Sequence, residues 1–149
     1  MDTMFEANSV SRILISIVAV AIAVGPMIAD FNKTHATNPL WPPHARFHVV
    51  WQVLTQSSVC GVILYLAWTD GAEYVKHVYL SAGLLYIWGI AFFATLGSMK
   101  LFDGALKDVN GIPPFRFNIM GTIREVDTNL FGCMILMIVN TVGVLLVQK

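Results

Sequence analysis

The sequence predicts an all-α integral membrane protein: a four-helix transmembrane bundle with a loop cap on one face. Three observations carry that reading. Of the 149 residues, 56% are hydrophobic and 12% charged, and mean hydropathy is +0.69, whereas a soluble domain carries roughly a quarter charged residues. Four long apolar segments are separated by polar breaks, and the charges collect in those breaks. One membrane domain covers residues 1–149, with spans at 13–29, 44–68, 76–98 and 129–147 and cap loops at 30–43 and 99–128.

The first span, Ile13 to Ala29, is an apolar run of 17 residues, long enough at 1.5 Å per residue to cross most of a hydrocarbon core of about 30 Å. Ser9 and Ser11 offer helix starts, and Gly25-Pro26 invites a kink because proline removes a backbone donor. Asp2 and Glu6 precede the run with Arg12 as the one cation and no clean small-residue cleavage site follows, so the expectation is a retained span, not a leader peptide. The Asn-, Thr- and Pro-rich loop 30–43 has no helical period. Proline suits a first helical turn, so the second span begins near Pro42 and runs to Trp68. Asp70-Gly71-Ala72-Glu73 is a polar turn before the third span.

Residues 100–128 punctuate themselves with Asn110-Gly111 and Pro113-Pro114. Phe115 to Ile119 alternates apolar and polar, Met120-Gly121 offers a turn, and Thr122 to Val126 offers a return strand, which together read as a β-hairpin lid. An interfacial amphipathic helix is the competing reading. Asp127 or Thr128 caps the fourth span.

Four spans fix which loops share a side. The N-terminus, the Asp70 turn, His77 and the C-terminus fall on one face; the His35 loop and the 99–128 loop fall on the other. Lys and Arg number three on the first face (Arg12, Lys76, Lys149) and six on the second, so the positive-inside rule expects the histidine face in the cytoplasm. A net charge of +0 offers no basic surface to nucleic acid. Cys60 and Cys133 lack metal or redox spacing and read as small apolar fillers.

Three of the four histidines lie within fourteen residues, at the mouth of the second span. On a helix, His44, His48 and Gln52 form one polar stripe, continued by Thr55 and Gln56. Such a stripe must face protein or water. Glu125, Asp127 and Asn129 enter the fourth span on the same membrane face, with Asn140 three turns deeper. A carboxylate beside an imidazole fixes its tautomer and raises its basicity, as general acid–base catalysis requires. His35, Trp51, Gln52, Gln56, Tyr86, Trp88, Asn129 and Asn140 are expected to bind substrate. The bland alternative is that these polar groups simply cross-link helices, with Asp127 a helix cap.

No metal or cofactor is predicted. The His44-x-x-x-His48 spacing, with His35 and Asp30, could complete four ligands, and a haem would need His35 to oppose His44 or His48. The H-E-x-x-H protease pattern is absent.

The expected function is a small membrane enzyme acting on a lipophilic substrate by proton transfer, an isomerase or cyclase, with His44, His48, Glu125 and Asp127 catalytic. A histidine heading a helix of a four-helix core, with acidic groups opposite, is similar to the emopamil-binding-type sterol isomerases, which shift a double bond in a lipid-soluble substrate. That likeness covers the second-span stretch alone. Their paired intramembrane glutamates have no match here, so no residue role comes from it. The alternative is a non-catalytic ligand-, quinone- or haem-binding accessory subunit. Expected partners are a lipophilic small molecule and membrane lipids, in a homo-oligomer or a larger membrane complex.

Overall fold

The computed structural model describes residues 2–107 and 112–148, with side chains from Asn8 onward. Four long helices follow in order: α1 (Asp2–Asp30), α2 (Pro43–Ala67), α3 (Tyr74–Ser98) and α4 (Thr128–Leu145), with a two-strand hairpin, β1 (Phe115–Ile119) and β2 (Thr122–Val126), ahead of α4. All four contain stretches long and apolar enough to span a membrane.

The spans lie within a few residues of the expected ones, except at the start of α1. That helix is already formed at Asp2, so neither Ser9 nor Ser11 begins it. Ser11 instead is buried and donates to the Gly143 carbonyl of α4 at 2.7 Å. α2 starts on Pro43, whose missing N–H costs nothing in a first turn. Gly71, with φ +126°, makes the turn between α2 and α3 in a conformation that side chains rarely adopt. The Asp127 carboxylate caps α4, accepting from the N–H groups of Asn129 and Leu130 at 2.8 and 3.3 Å.

The hairpin takes the strand reading and not the amphipathic-helix one. It is antiparallel, from Phe115 opposite Val126 to Ile119 opposite Thr122. Met120 and Gly121 both have positive φ, +50° and +82°, as the tight two-residue turn of a twisted hairpin demands. The Asn110-Gly111 turn lies outside the described residues.

α1 packs on α2 and α4, and α3 packs on the same two, so α2 and α4 stand at opposite corners. One end is tied by Arg12 to Asp70 at 2.7 Å and by Asn8, Tyr74 and Gln148, which hydrogen-bond together. The N-terminal segment, the α2–α3 turn and the C-terminal end thus share one face, as four spans require. The histidines other than His77 and the hairpin occupy the other.

Each adjacent pair of helices is also joined by a side chain donating to a backbone carbonyl across the interface. Ser81 of α3 reaches Ile63 of α2 at 3.1 Å, Asn140 of α4 reaches Ala82 of α3 at 3.1 Å, and Ser11 closes α1 to α4. Between α2 and α1, Gln56 donates to the Ile22 carbonyl at 2.8 Å, beside Ser57, which reaches Ala23 at 2.9 Å. The Ile22 carbonyl lies four residues before Pro26, which sits inside α1 and has no N–H to give it. Gln56 replaces the hydrogen bond that proline removed.

Gln56→Leu should therefore lower stability in detergent by about 1–3 kcal/mol, the cost of orphaning a buried acceptor. In a Pro26→Ala background, where an N–H returns to Ile22, most of that loss should vanish. Equal losses in the two backgrounds, measured by chemical unfolding, would refute the assignment.

Candidate functional site

The His48 stripe of α2 faces a groove between α2 and α3, floored by Ile22 of α1, with a volume of about 490 Å³. That size is ordinary for a small-molecule site. α2 supplies His48, Trp51, Gln52, Thr55, Gln56, Val59, Cys60 and Ile63; α3 supplies Leu84, Leu85, Ile87 and Trp88. The rim residues Trp51 and Ile87 are 58% and 63% exposed. In a membrane the groove thus opens sideways, towards acyl chains.

The stripe arises because residues four apart on a helix lie one above the other. It brings His48 Nε2 to 3.0 Å from His44 Nε2, with the rings edge to face. In that hydrogen bond one imidazole donates an N–H and the other accepts on a lone pair, according to their tautomers. Below it, Gln52, Thr55 and Gln56 are the polar points in an otherwise apolar wall, and Trp51 lies 5.8 Å from His48 ring to ring. The arrangement can take a molecule with a long apolar body and a polar or reactive end.

Of the expected substrate-binding residues, Trp51, Gln52, Gln56 and Trp88 line the groove with His48. Gln56 does so while its amide is engaged with Ile22. Tyr86 does not: its hydroxyl lies 2.7 Å from Thr141 of α4. Two residues span about 200° of a helix, so Tyr86 and Trp88 necessarily look opposite ways. Asn140 is wholly buried against Ala82 between α3 and α4. Asn129 is exposed in the first turn of α4.

The carboxylates have other partners. Glu125 pairs with Arg116 across the hairpin at 2.9 Å, and Asp127 caps α4. Among the described residues neither makes a hydrogen bond or ion pair with His44 or His48. His35 sits in the 31–42 loop, its Nδ1 2.7 Å from Thr34 Oγ1 and 3.6 Å from Asp30, with its ring edge-on to Trp41. No three His, Cys, Asp or Glu side chains among the described residues gather closely enough to hold a metal ion. The four-ligand set of His44, His48, His35 and Asp30 is therefore not assembled. The groove residues that sequence reasoning missed, Ile22, Val59, Cys60, Ile63, Leu84, Leu85 and Ile87, are apolar. Their pattern is that of any span, and only the α2–α3 packing distinguishes them.

Fold and groove together define a multi-pass, four-helix membrane protein with a groove between α2 and α3. Residues 14–108 match a family described as a "Family of unknown function (DUF6640)", and the chain belongs to it. The matched stretch contains α2, α3 and every groove-lining residue, and it ends before the hairpin. No curated protein and no solved structure matches the chain.

Asp127→Ala should cost about 0.5–2 kcal/mol, as loss of a helix cap does, and leave the affinity of a groove ligand unchanged. Thermal unfolding together with quenching of Trp51 and Trp88 by a brominated fatty alcohol would separate the two effects. Weakened quenching in a still-folded variant would mean that Asp127 reaches the site.

Proposed function

We propose that this chain is a small membrane enzyme that isomerises a lipophilic substrate by proton transfer, with the α2–α3 groove as its binding site. The observation that supports this best is His48, an imidazole on the groove wall hydrogen-bonded at 3.0 Å to a second imidazole, His44. The apolar body of the substrate lies along Trp51, Ile87 and Trp88, and Gln52 holds its polar end.

His48, as base, takes a proton from the carbon next to a double bond. The electron pair moves over, and the pair of imidazoles returns a proton at the far end of the allylic system. The double bond has shifted, the base is regenerated and nothing is consumed. A cyclase would use the same groups, one proton added to start ring closure and one removed to end it. His44 takes the partner role that Glu125 and Asp127, engaged elsewhere, leave vacant. The excess of Lys and Arg on this face supports placing it in the cytoplasm.

The second reading is a ligand-, quinone- or haem-binding accessory subunit without catalysis, alone as a homo-oligomer or within a larger complex. What favours it is the absence of a hydrogen-bonded carboxylate at the histidine pair among the described residues, which leaves the imidazoles less firmly oriented.

The two readings separate in an exchange experiment on mixed lipids. Purified protein is incubated with the membrane lipid extract in heavy water, and lipids are surveyed by mass spectrometry for deuterium at carbon. Wild-type protein should label one lipid class. His48→Ala should lower labelling by about 10²–10⁴-fold, the usual contribution of a general acid or base, with its unfolding temperature unchanged. A wild-type protein that retains a lipid yet introduces no deuterium supports the accessory reading.

A further inference from the structure

We propose that the β1–β2 hairpin is an in-plane membrane anchor whose tip, Ile119 to Ile123, is seated in the boundary between headgroups and acyl chains on the histidine face. Its depth follows from what holds it. The rings of Phe115 and Phe117 lie 5.0 and 6.1 Å from that of Phe131, and the Thr128 hydroxyl donates to the Pro113 carbonyl at 2.7 Å. Phe131 is three residues into α4, about 5 Å along a spanning helix. The strands are therefore docked at the level where α4 emerges from the bilayer, and lipid is the neighbour that geometry supplies.

The composition of the hairpin fits that neighbour. Strand alternation places Ile119 on the face that Phe115 and Phe117 use to meet Phe131. The opposite face carries the Arg116–Glu125 ion pair and Asn118, which accepts from the Gly121 N–H at the turn. At the tip this division ends: Ile119, Met120 and Ile123 are 57%, 100% and 66% exposed, and Ile123 lies on the otherwise polar face. Large apolar side chains thus project from both faces and from the turn, with Thr122 the one polar side chain between Ile119 and Ile123, a composition suited to insertion.

Two further features set the limit of insertion. A two-stranded ribbon has unpaired backbone groups along both edges, which hydrocarbon cannot satisfy, so the strands stay among headgroups. Arg124 stands opposite Phe117 on the apolar face and forms no ion pair among the described residues. Its long side chain can keep its stem in the apolar layer while the guanidinium reaches lipid phosphate.

The test uses the full chain in vesicles of equal parts phosphatidylcholine and phosphatidylglycerol. A water-soluble oxidant, chloramine-T, is applied, and methionine oxidation is followed by peptide mass spectrometry. Met120 should oxidise at least about tenfold more slowly than in a free peptide of residues 112–126, as insertion by several ångströms requires. Oxidation at the peptide's rate overturns the proposal. Protection that increases with the protein-to-lipid ratio also overturns it, because a second copy would then be the cover.

A spin label on Met120→Cys, in a Cys60→Ala, Cys133→Ala background, gives an independent reading. Collisions with oxygen should exceed those with an aqueous nickel complex. The reverse order counts against insertion.

Discussion

The bundle depends on one constraint: within lipid, a polar group must find its partner inside the protein. Here that constraint is met by a closed circuit of side chains donating to backbone carbonyls, from α1 to α4, α4 to α3, α3 to α2 and α2 back to α1. Such bonds are individually modest, about 1 kcal/mol. Their value here is positional, because each fixes the rotation of one helix against the next and thereby decides which residues look inward.

The groove is a consequence of that fixing. Gln56 turns α2 so that its stripe runs down the side next to α3, and Ser81 holds α3 against Ile63 while leaving Trp88 on the open side. The rotation of α3 sends Tyr86 to α4, while the His44–His48 pair follows from spacing within α2 alone. Groove wall and structural joint are thus adjacent residues of one helix, with Gln56 serving in both.

The fold was largely legible because hydropathy and span length are one-dimensional properties. Four spans, their shared sides and the Met120-Gly121 hairpin could all be read along the chain. Convergence between helices could not. The expectation that Glu125 and Asp127 serve His48 rested on their sharing a membrane face, but such a face is wide, and α2 and α4 occupy opposite corners of it. Asp127 was also legible as a helix cap from its place before Thr128, and the structure assigns it that role. Tyr86 was expected to line the site with Trp88; a spacing of two excludes a shared helical face, and the structure turns Tyr86 to Thr141 instead. The apolar half of the groove carries no sequence signal separate from the spans themselves.

Pro26 has a consequence for α1 within the membrane. A lone α1 in lipid would leave the Ile22 oxygen without the Gln56 donor, and an unsatisfied carbonyl there costs several kcal/mol. Its natural companion, Gln56, arrives only after the His35 loop and half of α2 have been synthesised. The backbone of the first segment is thus completed by a side chain of the second, and the two segments form one hydrogen-bonding unit.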